Sequence, residues 1–497
     1  MTKKNTALLS FAEEYKLPFF FGVACFLAAH MAAVTNKFVN PDELEYLFQK
    51  GATLDSGRWA LALTSFVFPD VSMPWIYGVI SAVLLSLACC VIIRTFAIKS
   101  RILQVLLTAV IVTFPAETLT LTYIFTSAPY ALAFLLFSLS VYVLTRGKKS
   151  GYIISALLFC FACAIYQAYL SLAASLFVAY IIKKLLNGEW TAKEGIIFGM
   201  KCLAVMIAGL LVYFLMNKLT LAVTGTEYNE YANDTLNADL SLNGLVFSLK
   251  STYLSFYYYF RYKYLQYIPT KAAMLANYAL FATVGCLTLL KMRRVQNWGQ
   301  RLLTLLLLII LPIAINCLLF VSKPHSLMFY SFITMYVLAA FALDAERERA
   351  RKISWHDVGA LCLALVLLCN INYSNKIFLK QKLVYEQSYS FYSTLLSRIK
   401  MLPDYSDDDK IALLGTGSEQ IYPISEIETK NLISVGDELV SVYSRDKLIK
   451  YYLGASLEVI DETELTQAQL DAALAMPRYP AHGAIIKNNG VILVRLD

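Results

Sequence analysis

The sequence predicts a polytopic α-helical membrane protein of about eleven crossings, followed by a small C-terminal α/β domain. Three observations carry that reading. Of the 497 residues, 58% are hydrophobic and only 16% charged, whereas soluble proteins carry roughly 25% charged residues. Apolar runs of about 20 residues, the length that crosses a bilayer as a helix, recur along the chain. The formal net charge of +8 is also unevenly spread, with +14 in residues 1–380 and −6 in residues 381–497. Together these exclude a soluble enzyme and a nucleic-acid binder. The 33 Tyr residues suit a long membrane–water boundary.

The elements follow in order. Lys3, Lys4 and Lys16 precede the first apolar run, 17–39, which has no small-residue cleavage site and reads as an uncleaved helix. Further spans fall near 75–97, 101–116, 124–145, 151–166, 168–185, 195–217, 270–290, 301–321, 326–343 and 355–372. The stretch 151–185 could be one long helix, and charge decides against it. Basic residues at 146–149 and 183–184 flank it, both ends favour the cytoplasm, and an even number of crossings lies between them. Two short helices meeting near Tyr166-Gln167 satisfy this. The other basic clusters, around 99–101, 291–301 and 347–352, then fall at alternate loops.

The N-terminus is therefore expected in the cytoplasm and the C-terminus outside. Loops 40–74, 117–123, 218–269 and 322–325 face outward, on the same side as the tail. The hydrophobic segments show no internal repeat, which counts against a transporter built from matching halves. In the tail, 411–415, 456–460 and 490–496 read as strands and 464–475 as a helix with Thr466 as its N-cap. Gly415-Thr-Gly417 alone is too weak for a phosphate loop. All ten Cys lie in apolar runs and read as small packing residues. Cys160-x-x-Cys163 has no second pair to make a metal site.

The first outward loop is the most informative segment: Asn40-Pro-Asp-Glu-Leu-Glu-Tyr46, then Asp55-Ser-Gly-Arg-Trp59. Asn40 is a good N-cap, Pro41 suits the first helical position, and Asp42 and Glu43 complement the helix dipole. A short helix would then lie at the interface on Leu44, Leu47 and Phe48. Two readings coexist here: simple capping, and a carboxylate held at the membrane surface as a general base. Arg58 can bind phosphate in a bidentate manner or pair with headgroups. Glu117, in a second outward loop almost free of other charge, is a solvated loop acid, a helix cap or a substrate ligand. Lys323-Pro-His325 offers a cation and an imidazole at the membrane face, or merely a snorkelling lysine and a turn. Residues 250–271, with seven tyrosines, Lys250, Arg261 and Lys263, read as an interfacial aromatic belt or as a stacking and cationic surface for sugar or lipid phosphate. His30 reads as a packed polar residue inside the first span.

An apolar first helix, Asn40-Pro-Asp-Glu-Leu-x-Tyr46, Gly57-Arg-Trp59, the Tyr166-Gln167 hinge and the late Met476-Pro-x-Tyr-Pro480 occur in this order. The combination resembles the phage-type, serotype-converting glucosyltransferases that modify O-antigen, over most of the chain. The resemblance implies a GT-C membrane glycosyltransferase, with residues 1–380 as its catalytic membrane domain and 381–497 as an external α/β domain. It implies a polyprenyl-phosphate-linked glucose as donor and a cell-surface glycan as acceptor, at the outer side of a bacterial cytoplasmic membrane. A lipid-sugar synthase and a small flippase are the implied functional partners. Asp42 and Glu43 match the position of the catalytic base, with Asp55 a weaker third candidate.

The mechanism expected from this has Arg58, supported by Lys323 or His325, holding the phosphate while Asp42 or Glu43 deprotonates the acceptor hydroxyl. No metal or other cofactor is expected, because the donor is lipid-linked. Asp407-Asp-Asp409 reads as a solvated acidic loop. The competing functions are a flippase or transporter of lipid-linked sugars and a polymerase or ligase of such saccharides. A transporter should carry charges at mid-membrane, and here they gather at helix ends.

Overall fold

The computed structural model describes the chain except residues 1–2, 50, 52, 69, 230–238, 240, 263–267, 269, 323, 347–353, 418–421, 430–431, 433–434 and 436–441, with backbone alone for 3–9. It divides into two compact units. The first comprises Met1–Asn36, Phe48–Asn375 and Asn431–Ile433, the second Lys37–Leu47, Lys376–Lys430 and Ser434–Asp497.

The first unit is helical: α1 (Lys3–Thr35), α3 (Trp59–Leu63), α4 (Pro74–Phe96), α5 (Arg101–Val112), α6 (Pro115–Thr120), α7 (Ile124–Thr145), α8 (Lys149–Ile165), α9 (Leu170–Leu186), α10 (Ala192–Thr224), α11 (Leu242–Tyr259), α12 (Lys271–Arg294), α13 (Trp298–Ile315) and α14 (Ile333–Asp344). Among the described residues, ten helices of the protein are long and apolar enough to cross a membrane, and α8, of 17 residues, is a shorter apolar one. Each coincides with one of the eleven runs read from the sequence.

The helix ends have local causes. Ser100, Ser241, Thr270 and Asn297 accept a backbone N–H at the starts of α5, α11, α12 and α13. Thr191 and Glu194 form a reciprocal capping box at α10, which ends at Gly225 in the left-handed conformation. Pro115 cannot continue α5 and instead opens α6. Between α8 and α9 the backbone turns extended at Tyr166 and passes through a 3-10 turn, Gln167–Tyr169, so the expected break lies where the charges placed it.

α15 (Trp355–Lys400) starts in the first unit and ends in the second. It runs well beyond the expected span end at 372. The second unit holds a four-stranded sheet of order β2-β1-β4-β3, with β1 (Lys410–Leu414), β2 (Glu458–Ile460), β3 (Ile485–Asn488) and β4 (Val491–Arg495). β1 is parallel to β2 and β4, while β3 and β4 pair antiparallel. Their connection, Asn489-Gly490, has positive φ at both residues, as a type I′ hairpin turn requires. α16 (Gln467–Ala475) begins at a capping box on Thr466 and Gln469. One core layer joins Tyr392, Leu395 and Ile399 of α15 to Ile411, Leu413, Ile492 and Val494 of the sheet. Val39 and Leu44, from the far end of the sequence, are buried in the same layer.

Candidate active site

The second unit contains Asp42 and Glu43. Both belong to the five-residue helix α2 (Pro41–Glu45), with Asn40 as its cap: the Asn40 side chain accepts from the Glu43 backbone N–H at 2.8 Å, and Pro41 occupies the first helical position. Neighbours in sequence, the two acids have opposite fates. The Glu43 side chain is fully buried and ion-paired with Lys37. Burial pulls the Lys37 ammonium down, to about 7, and the carboxylate it touches opposes that pull. Asp42 is only partly buried and accepts a hydrogen bond from the Tyr443 hydroxyl at 2.6 Å. Asp42 can therefore meet a substrate, whereas Glu43 is committed to holding the loop.

The Gly415-Thr-Gly417 turn in this unit is occupied by the Asp497 carboxylate, which accepts from the backbone N–H groups of Thr416 and Gly417. Asp409 departs from the expectation of a solvated acidic loop. It is buried and paired with Lys487 at 2.8 Å, because β4 brings the β3 lysine beside it, and that contact holds its carboxyl below the usual range.

The first unit contains a polar cluster built on the turn that precedes α3. Gly57, at φ +74°, closes the turn, and a Cβ there would lie 2.7 Å from the Tyr213 hydroxyl. That hydroxyl donates to the Gly57 carbonyl at 3.0 Å, and the Gln167 amide donates to both the Ser56 carbonyl and Tyr213 at 3.0 Å. The turn thus delivers Arg58, partly exposed, to an aromatic wall. Its guanidinium donates to the Tyr130 hydroxyl at 3.1 Å and lies 5.5 Å from the centre of the Tyr166 ring, which stacks on Tyr130. Asp55 is held by Asn229 through backbone and side chain. Asn217 donates to Tyr228, and its buried carbonyl oxygen has no partner among the described residues.

Glu117 joins the same wall. It is 2% exposed on α6, and one carboxyl oxygen has no hydrogen-bond partner among the described residues. α6 packs on the 3-10 segment Ser326–Phe332, whose Tyr330 ring meets Tyr169 at 5.7 Å. The Tyr169 ring meets Tyr166 edge-on at 4.8 Å, so the wall beside Arg58 continues toward α6; the outward loop expected at 117–123 is not one, because Glu117–Thr120 form the buried body of α6. Phe114 stacks between Tyr259 and Tyr330, so the aromatic-rich end of α11 reaches this wall. Arg261, just beyond it, is exposed. His325 precedes the 3-10 segment Ser326–Phe332 that packs on α6. Burial lowers its imidazole below the usual range, which disfavours the cationic form expected to bind phosphate. Lys323 lies outside the described residues. His30 is packed as expected, against the Val112 carbonyl at 3.1 Å.

The sequence profile described as Glucosyl transferase GtrII matches residues 31–344. The chain belongs to that family. No curated protein is similar enough to count as a relative. Membership of the GtrII family agrees with the resemblance to serotype-converting glucosyltransferases. It implies glucosyl transfer in O-antigen modification, so the chain is a glycosyltransferase in a membrane-protein framework. The match to GtrII includes α2, the Arg58 turn, α6 and α11. It stops before α15 and the sheet, and so leaves Tyr443 outside.

Tyr130, Tyr213, Asn217 and Tyr443 were not legible as site residues. Each is one of many aromatic or amide residues in its segment. Only the hinge at Tyr166-Gln167 carried a signal, through the charges on either side of it.

Proposed function

We propose that the chain transfers glucose from a polyprenyl-phosphate carrier to a cell-surface glycan such as O-antigen, at the outer side of the bacterial cytoplasmic membrane. The observation that carries the base assignment is the contrast within α2: Asp42 accessible, Glu43 buried and ion-paired. Asp42 takes the proton of an acceptor hydroxyl as its oxygen attacks the anomeric carbon. The bond from that carbon to the phosphate breaks, and the polyprenyl phosphate leaves with the electron pair. In the first unit, Arg58 has the chemistry of a phosphate ligand: a planar guanidinium already oriented by Tyr130 and Tyr166. Glu117 and the surrounding tyrosine faces suit a hydroxyl-rich, flat-sided ligand; Asp55, three residues before Arg58, and Arg261, two residues after Tyr259, are further polar candidates of the first unit. The single base implies inversion at the anomeric carbon; retention would need a second carboxylate as nucleophile. A lipid-sugar synthase and a flippase would supply the donor at that face.

Membranes containing the protein, given polyprenyl-phosphate glucose and acceptor glycan, test this reading. Asp42→Asn should cut transfer by about 10²-fold or more at normal protein level. Glu43→Gln should instead lower the amount and melting temperature of the protein, with a loss of about 3 kcal/mol from a broken, largely buried ion pair. No transfer by the wild-type protein, or full activity in Asp42→Asn, overturns the proposal.

A further inference from the structure

The GtrII match includes the Lys37–Leu47 segment of the second unit but ends before its sheet, which leaves the C-terminal part of that unit without an assigned role. Its internal geometry supplies one. Val39 and Leu44, on either side of Asp42, are buried in its core with Tyr392, Ile411, Leu413 and Leu448. The helical turns Val442–Ser444 and Arg445–Lys447 pack on α2. From them, Tyr443 donates its hydroxyl to the Asp42 carboxylate at 2.6 Å, and Lys447 lies 3.7 Å from Glu45 and 2.8 Å from Asp446.

We propose that the C-terminal unit is part of the catalytic apparatus: it carries the helix of the base, and Tyr443 is the positioning residue that fixes the Asp42 carboxylate. This rests on the assignment of Asp42 as base. A carboxylate on a five-residue helix can rotate about two side-chain torsions, and a phenolic donor held by the unit's own fold restricts it. The donor engages one oxygen and leaves the other for the incoming hydroxyl. The remaining charged groups around α2 are already committed. Glu43 pairs with Lys37, Glu45 faces Lys447, and Arg445 donates to the carbonyls of Leu413 and Gly415. Among these contacts, the Tyr443 hydroxyl is the one that meets Asp42. Restraint of the base should speed the chemical step without strengthening donor binding.

The test uses the full-length protein in detergent or proteoliposomes, with polyprenyl-phosphate glucose and acceptor glycan. Tyr443→Phe removes one oxygen from a half-exposed side chain, and equal melting temperatures establish that the fold is kept. The expected result is a fall in kcat of about tenfold with KM for the donor unchanged within about twofold. Adding Tyr443→Phe to Asp42→Asn should cost nothing further, because the partner of the hydroxyl is already disabled. Lys447→Ala, which loosens an adjacent contact without touching Asp42, should leave kcat within about twofold. Wild-type kcat in Tyr443→Phe, or a matching loss in Lys447→Ala, overturns the positioning role. An active Asp42→Asn instead defeats the base assignment, so the two failures differ.

Discussion

At the scale of single residues, environment separates groups that composition treats alike. Asp42 and Glu43 both suit a helix start, and no pattern in the sequence ranks them. The ranking comes from Lys37, which buries against one of them and not the other. Arg58 was legible because a charged residue beside Gly57 and Trp59 is conspicuous in an apolar chain. Its setting was not, since Tyr130 lies 72 positions away and Tyr213 lies 156 positions from the Gly57 carbonyl it bonds. That setting makes a prediction. A lysine at position 58 keeps the charge but cannot stack on Tyr166 while donating in a fixed plane to Tyr130. Arg58→Lys should therefore raise KM for the lipid-linked donor about tenfold or more, with Arg58→Ala worse still, in steady-state transfer assays. Equal kinetics for Arg58→Lys and wild type would show that charge alone matters there.

At the scale of elements, a boundary marked by charge was readable and extensions without a mark were not. The basic residues flanking 151–185 called for an even number of crossings and so for a break between α8 and α9, whereas the span read as 101–116 ran through Pro115, which ends α5 and opens α6. α15 carries no breaker between residues 373 and 400, so it continues past its apolar part on an amphipathic pattern, and a hydropathy reading stopped early. β3 was missed because four residues with no alternation give no strand signal; its pairing with β4 makes it a strand. α2 is the most dependent element. Five residues are too few to be helical alone, so Asn40, Pro41 and the burial of Leu44 hold it. Asn40→Ala should cost about 1 kcal/mol of local stability and lower kcat more than it alters KM. Hydrogen exchange at the backbone of residues 42–45, faster in the variant, would locate the loss; unchanged exchange would show that packing alone maintains the helix.

For the whole molecule, the division of charge into +14 and −6 separated membrane helices from an α/β tail. The same arithmetic predicts sidedness. In a cysteine-free background, a thiol reagent that cannot cross membranes should label Asp408→Cys and spare Asn297→Cys in intact cells whose outer surface is open to the reagent. The opposite pattern would invert the chain. Composition could not show that residues 37–47 belong with the tail, because eleven residues between two apolar stretches carry no mark of distant partners. That membership has a consequence for biosynthesis. Val39 and Leu44 are synthesised roughly 370–410 residues before Ile411 and Leu448, a delay of about 20–80 s at ordinary elongation rates. Through that interval the segment proposed to present the base has no core to enter. A chain interrupted before residue 410 would carry the apolar helices of the first unit and an α2 without the core that holds it.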